Sequence, residues 1–233
     1  MKFLPIVALL GSLSRALPLD SAPNDGWLTT RALSARDLFT ENELLDGDVG
    51  SCPSVIFVYA RGSLEFGNLG FLGGLVGDGI KAALGEDQVW TQGIGGDYSA
   101  GIGDNSLPDG TTPEAIQEMI SLFELADRKC PDAILVSGGW SQGAALTAAS
   151  IRDLNPTIRD HIAGVILFGY TKNQQNNGVI INYPADRLKV FCNDGDAVCE
   201  GQLSITVPHL LYFDEANHEA PEFLVEQIRK FTN

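Results

Sequence analysis

Gly139-Trp140-Ser141-Gln142-Gly143 lies between the apolar run Ala133-Ile134-Leu135-Val136 and the alanine-rich run Ala144-Ala145-Leu146-Thr147-Ala148-Ala149. The stretch reads as strand, sharp turn and helix. A serine on such a turn sits in a strained backbone conformation, and only small flanking residues let strand and helix pass without Cβ clashes. Gly139 and Gly143 supply that space. Ser141 then projects its hydroxyl at a helix N-terminus, where unpaired N–H groups favour negative charge. An ordinary glycine-rich turn is the plainer reading. The strand before it and the helix after it favour a nucleophile elbow.

Working outward, Val55-Ile56-Phe57-Val58-Tyr59-Ala60 and Ala163-Gly164-Val165-Ile166-Leu167-Phe168 are continuous apolar runs of the kind buried on both faces of a parallel sheet. Val89-Trp90-Thr91-Gln92 and Leu188-Lys189-Val190-Phe191 are shorter strands. Between them the spacing predicts helices over 75–84, from Thr112-Pro113-Glu114 to about Lys129, from the elbow to Leu154, and from near Pro221 to the C-terminus. Thr112 and Pro113 form a cap and first turn. Segment 93–110 is a loop rich in Gly, Asp and Asn, and 171–184 is a polar loop. Strand–helix alternation of this kind defines an α/β fold. The expectation is a single-domain α/β-hydrolase fold, with a mostly parallel sheet of about five strands covered by helices on both faces.

The 233 residues carry 15 Lys+Arg against 30 Asp+Glu, a net charge of −15. Nucleic acid and anionic membrane surfaces both require a basic face, so the acidic balance argues against both as partners. Residues 1–16 read as a secretory signal: Lys2, an apolar stretch from Phe3 to Leu13 too short to span a bilayer, then Ser14-Arg15-Ala16. No later segment reads as a transmembrane helix. The expected localisation is secreted and extracellular. Residues 17–50 are polar and show no strong core pattern. Arg31 and Arg36 are candidate processing points of a short pro-segment, and a short helix is expected within 33–45. Four cysteines in a secreted chain imply two disulfides, with three possible pairings. Cys192 and Cys199 bracket six residues of loop-like sequence, and Cys52 and Cys130 each precede a strand. Spacing and the scarcity of histidine argue against a metal site, and no cofactor is implied.

A serine hydroxyl needs a base to take its proton, and in this fold the partners follow in the order Ser, acid, His. His161 precedes every plausible acid loop and lies among charged residues. His218 lies in the solvated stretch Glu215-Ala216-Asn217-His218-Glu219. His209, in Val207-Pro208-His209-Leu210-Leu211-Tyr212, is the favoured base. The acid belongs in Cys192-Asn193-Asp194-Gly195-Asp196-Ala197-Val198-Cys199. Asp194-Gly195 looks like a turn, which slightly favours Asp196, and Asp186 reads as a surface residue. One oxyanion donor is the backbone N–H of Gln142. The loop Arg61-Gly62-Ser63 after the first strand fits as the source of the other.

The chain resembles the fungal cutinases, secreted serine esterases that cleave the aliphatic polyester of plant cuticle. The matching stretches include Tyr59-Ala60-Arg61-Gly62-Ser63, Gly67-Asn68-Leu69-Gly70, Gly103-Asp104-Asn105, the elbow through Leu146, Leu167-Phe168-Gly169-Tyr170-Thr171-Lys172-Asn173, Asn182-Tyr183-Pro184-Ala185-Asp186-Arg187, the Cys192–Cys199 loop and Pro208-His209-Leu210. They run from about Ser51 to the C-terminus, so 51–233 is the expected hydrolase domain. The resemblance implies Ser141 as nucleophile, His209 as base, Asp196 as acid, Ser63 and Gln142 as the oxyanion hole, and Asn105 as support for Ser63. It also implies the disulfides Cys52–Cys130 and Cys192–Cys199, and no large lid. The resemblance further implies a crevice walled by two apolar loops, with Ile102 and Leu107 on one side and Leu203, Ile205 and Leu210 on the other. The chain departs from the family pattern at Trp140, where tyrosine is usual, and in the acidity of 213–219. The implied activity is hydrolysis of cutin and other lipophilic esters by a monomer. The alternatives are a lipase or acetyl-ester hydrolase on the same scaffold, or a secreted recognition module with no catalysis.

Overall fold

The apolar runs pair side by side into a parallel sheet in the computed structural model, which describes residues 39–232. In chain order the elements are α1 (Glu43–Asp46), β1 (Val55–Ala60), α2 (Gly70–Leu84), β2 (Val89–Gly93), α3 (Pro113–Lys129), β3 (Ile134–Trp140), α4 (Gln142–Asp153), α5 (Pro156–Asp160), β4 (Ile162–Phe168), β5 (Leu188–Phe191), α6 (Phe213–Asn217) and α7 (Glu219–Phe231). Strand order is β2-β1-β3-β4-β5, and every neighbouring pair is parallel. The described residues belong to one unit of the fold.

Alternate residues of the strands feed two cores. Ile56, Val58, Leu135 and Leu167 pack with Met119 and Phe123 of α3 and with Leu146 of α4. Phe57, Tyr59, Val136 and Ile166 pack on the other face with Val76 of α2 and Leu224 of α7. The chain passes from β1 outward to β2, then returns across β1 to β3. The switch point of the sheet therefore lies between β1 and β3, where such folds place their ligands beyond the carboxyl ends of the strands. Ser63 lies just past the end of β1 and Ser141 just past the end of β3.

Several boundaries differ from the sequence expectation. α2 begins at Gly70, not near Leu75. Glu65 caps its first turn by accepting the Phe71 N–H at 2.8 Å, and Gly73 and Gly77 lie against Tyr59 and Thr91 of the sheet. The glycines that weaken the helix locally are the ones that let it seat closely. The helix after the elbow ends at Asp153 and Pro156 opens a separate turn, capped by Asn155 Oδ1 on the Thr157 N–H. The solvated stretch around His218 is where the short helix α6 adjoins α7, which starts at Glu219, two residues before Pro221. Thr112 caps α3 through the Ala115 N–H as expected.

The helix expected within 33–45 is confined, among the described residues, to Glu43–Asp46. Residues 39–50 are not a bystander segment. Leu44 is fully buried, Glu43 accepts the Thr91 N–H and pairs with Lys81, and the Gly93 N–H donates to the Glu41 carbonyl. The segment closes the β2 edge, a protection that exposed strand edges require. The expected signal and the candidate processing points Arg31 and Arg36 lie outside the described residues. Both disulfides form: Cys52–Cys130 links the approaches to β1 and β3, and Cys192–Cys199 closes the loop after β5.

Candidate active site

Ser141 has φ 57° and ψ −116°, outside the regions that non-glycine residues prefer. Strain of this kind persists only where the surroundings enforce it. Here the Ser141 N–H donates to the Phe168 carbonyl at 2.8 Å, and α4 begins at the next residue. A Cβ on Gly143 would overlap the Ala60 carbonyl, so only glycine lets α4 seat against β1.

Ser141 Oγ lies 3.0 Å from His209 Nε2, and His209 Nδ1 lies 2.9 and 3.1 Å from the two carboxylate oxygens of Asp196. The three side chains come from the end of β3, the loop after β5, and the turn before α6. All three are buried. Gly169, at φ 51°, passes beneath this group; a Cβ there would stand 2.7 Å from His209 Cε1. Asp196 is further held by the Val198 N–H at 3.0 Å and the Tyr212 hydroxyl at 2.6 Å. Burial, and then the bond to Asp196, push the Tyr212 phenol well above its ordinary range, so it stays a neutral donor. Asp194 and Asp186 are exposed. His161 is half exposed beside Asp127, and His218 is exposed beside Asp214.

Ser63 Oγ accepts a 2.9 Å bond from Asn105 Nδ2, which also donates to the Ile102 carbonyl. The loop carrying Ser63 is anchored by Arg61, whose guanidinium donates to the carbonyls of Glu65, Ile94, Tyr98 and Ser99. Glu65 accepts the Gly62 N–H at 2.6 Å. Gln142 opens α4, where the first N–H groups have no partner within the helix, and its side chain donates to the Gly101 carbonyl at 2.7 Å.

A cavity of about 410 Å³ opens over Ser141 and His209. Ile102, Leu203, Ile205 and Leu210 line it as expected, together with Leu64 and Val198. Leu107 does not. It ends the 3-10 turn Ile102–Ser106 half-buried, with its carbonyl taken by Lys172 Nζ and the Gly110 N–H. The rim side chains Ile102, Leu203 and Ile205 are each more than half exposed, so nothing among the described residues covers them as a lid would. Among these residues no cluster of His, Cys, Asp and Glu is arranged to hold a metal ion, and no helix is long and apolar enough to cross a membrane.

Sequence reasoning missed Tyr212, Trp140 as a partner of His209, and the Arg61–Glu65 anchor. Tyr212 follows His209 by three residues, but its role depends on where Asp196 lands. Trp140 donates its indole N–H to the His209 carbonyl, a bond no local pattern announces.

A parallel sheet with a strained serine at its switch point, bonded to a buried His–Asp pair, defines an α/β-hydrolase-type enzyme. The comparisons with known proteins narrow the class. The Cutinase family model matches residues 51–228. The chain is 53% identical to Cutinase 1 of Fusarium vanettenii over 231 residues, covering 98% of this chain and 97% of that one. A solved Trichoderma reesei cutinase in complex with a phosphonate inhibitor superposes with TM-score 0.69 at 30% identity, covering 82% of this chain and 80% of that one. An acetylxylan esterase shares the fold at TM-score 0.61 and 18% identity, covering 76% of this chain and all of that one. The chain belongs to the cutinase family, whose members are carboxylic ester hydrolases.

Proposed function

We propose that the protein is a secreted monomeric serine esterase that hydrolyses cutin and other lipophilic esters through an acyl-enzyme, without a cofactor. The observation that carries this reading is the hydrogen-bonded chain Ser141–His209–Asp196 on the floor of an apolar cavity. His209 Nε2 takes the Ser141 proton as Oγ attacks the ester carbonyl carbon. The developing oxyanion is held by the backbone N–H groups of Ser63 and Gln142, with the Ser63 hydroxyl as a further donor. Each such donor is worth about 3–4 kcal/mol in the transition state. His209 then protonates the leaving alcohol. Water, deprotonated by the same imidazole, attacks the acyl carbon and frees the acid. Asp196 holds the imidazole in the tautomer with its proton on Nδ1 and stabilises the imidazolium.

The apolar lining supports a lipophilic chain over a carbohydrate ester, and the exposed rim supports action without lid opening. Residues 1–16 serve as the secretory leader, part of 17–50 as a pro-segment, and 51–233 as the hydrolase domain. The two disulfides suit an oxidising compartment. The test is release of hydroxy fatty acids from cutin. Wild type releases them, and Ser141→Ala lowers kcat by about 10⁵–10⁶-fold. Equal release by both proteins, or failure of a phosphonate to label Ser141, overturns the assignment.

A further inference from the structure

The catalytic cavity accounts for only part of the apolar surface around Ser141. A second hollow of about 310 Å³ is lined by Phe71, Leu72, Trp140, Leu210, Phe213 and Glu65. An adjoining hollow of about 300 Å³ shares Glu65, Phe71 and Trp140 with it and extends past Leu64, Phe66 and Phe39. The two form one groove. Its aromatic rings are already assembled: Phe71 meets Phe213 edge-on at 5.2 Å, and Phe39 stands 6.2 Å from Phe71. Leu64 and Phe66 are about two-thirds exposed, and Phe71 and Phe213 nearly half. Apolar side chains exposed together rather than singly mark a binding surface.

The lining decides what chemistry fits. Glu65 is the charged side chain on the groove, and one of its oxygens accepts the Gly62 N–H while the other accepts the Phe71 N–H. Both of its oxygens are already engaged by backbone donors, which commits it to holding the loop on α2 rather than to a ligand. Asp214 and Glu215 follow Phe213, and the chain carries −15 overall, so a fatty-acid carboxylate or an anionic headgroup is repelled. An uncharged hydrocarbon chain fits.

The location decides whose chain it is. The groove shares Ser63, Leu64, Trp140 and Leu210 with the catalytic cavity. Leu64 follows Ser63, Trp140 precedes Ser141, and Leu210 follows His209. The near end of the groove is thus one residue along the chain from each reacting group. An ester of two long chains carries hydrocarbon on both sides of its carbonyl, and a single cavity accommodates one of them.

We propose that this groove binds the second aliphatic chain of the ester, the one on the other side of the scissile bond from the chain in the catalytic cavity. Trp140 is the partition between the two. The proposal rests on Ser141 being the nucleophile. Its consequence is independent dependence of rate on the length of each chain.

The test uses two ester series, one lengthening the acyl chain at fixed short alcohol and one lengthening the alcohol at fixed short acyl. Wild type gains kcat/KM with length in both. The double variant Phe71→Ser, Phe213→Ser loses about tenfold of that gain in one series and keeps it in the other. Ile205→Ser in the catalytic cavity shows the opposite selectivity. Phe66→Ser, at an exposed position where folding is little affected, shows a smaller loss in the same series as the double variant. Equal losses in both series, or none in either, overturn the groove assignment. If wild type hydrolyses no ester of either series, or Ser141→Ala matches it, the failure belongs to the proposed function instead.

Discussion

The indole N–H of Trp140 donates to the backbone carbonyl of His209 at 3.2 Å, and the two rings stand 5.6 Å apart. The residue before the proposed nucleophile therefore holds the backbone of the proposed base. Trp140 also packs on Gly62, next to Ser63. One side chain thus touches the elbow, the His209 segment and the Ser63 loop.

Trp140→Phe keeps most of the ring and removes the donor. A neutral hydrogen bond contributes about 1 kcal/mol, which corresponds to roughly a fivefold change in rate. The expected result is a kcat lower by about fivefold on a short-chain ester with KM little changed. A shift confined to KM would mean that the ring only lines the cavity.

Tyr212 holds Asp196 as Asp196 holds His209. Its hydroxyl donates to Asp196 and accepts the Asn193 N–H at 3.1 Å. Tyr212→Phe leaves a buried carboxylate one donor short, and bonds to charged groups contribute about 1.5–3 kcal/mol. Loss of that bond lowers kcat by about tenfold and Tm by several degrees. Steady-state kinetics and thermal unfolding on the same preparation check both. An unchanged kcat would show that the Val198 N–H alone suffices to aim the carboxylate.

The elements that could be read in the sequence are those whose signal is local. β1 and β4 announce themselves as unbroken apolar runs, and the elbow announces itself through glycine spacing. His209 could be chosen because the chain has only three histidines. What escaped depends on distant partners. The first turn of α2 relies on Glu65 and on contacts with the sheet, which outweigh the local cost of its glycines. Residues 41–46 look polar until β2 is present for them to cover. Leu107 looks like its apolar neighbours, but Lys172, 65 positions away, fixes its backbone. The groove of Phe66, Phe71 and Phe213 assembles residues nearly 150 positions apart, so no window of sequence displays it.

Asn105 donates to Ser63 Oγ, which leaves the Ser63 O–H available as a donor. That directionality is what the proposed oxyanion hole needs before substrate arrives. Asn105→Ala frees the hydroxyl to rotate and removes a buried amide. The expected loss is about 10- to 100-fold in kcat, smaller than the 10²–10³ for deleting an oxyanion donor outright. Kinetics of Asn105→Ala beside Ser63→Ala checks the order. A double variant much worse than Ser63→Ala would show that Asn105 acts through something other than Ser63.

Glu65 ties the Ser63 loop to α2, and burial lifts its carboxyl above the ordinary glutamate range. The bonds from Gly62 and Phe71 and the charge of Arg61 offset that lift only in part. The folded state therefore binds this proton more tightly than the unfolded chain does. Its contribution to stability is full below the unfolded value of about 4.3 and is lost as pH rises through the folded value. Glu65→Gln has no such titration. The Tm of Glu65→Gln relative to wild type should therefore rise between pH 4 and pH 7, as read by thermal unfolding at both. The same variant offers one acceptor oxygen to two N–H donors, so its kcat falls at both pH values even as its relative stability improves. A relative Tm that falls over this range would show instead that the two N–H bonds and Arg61 outweigh burial.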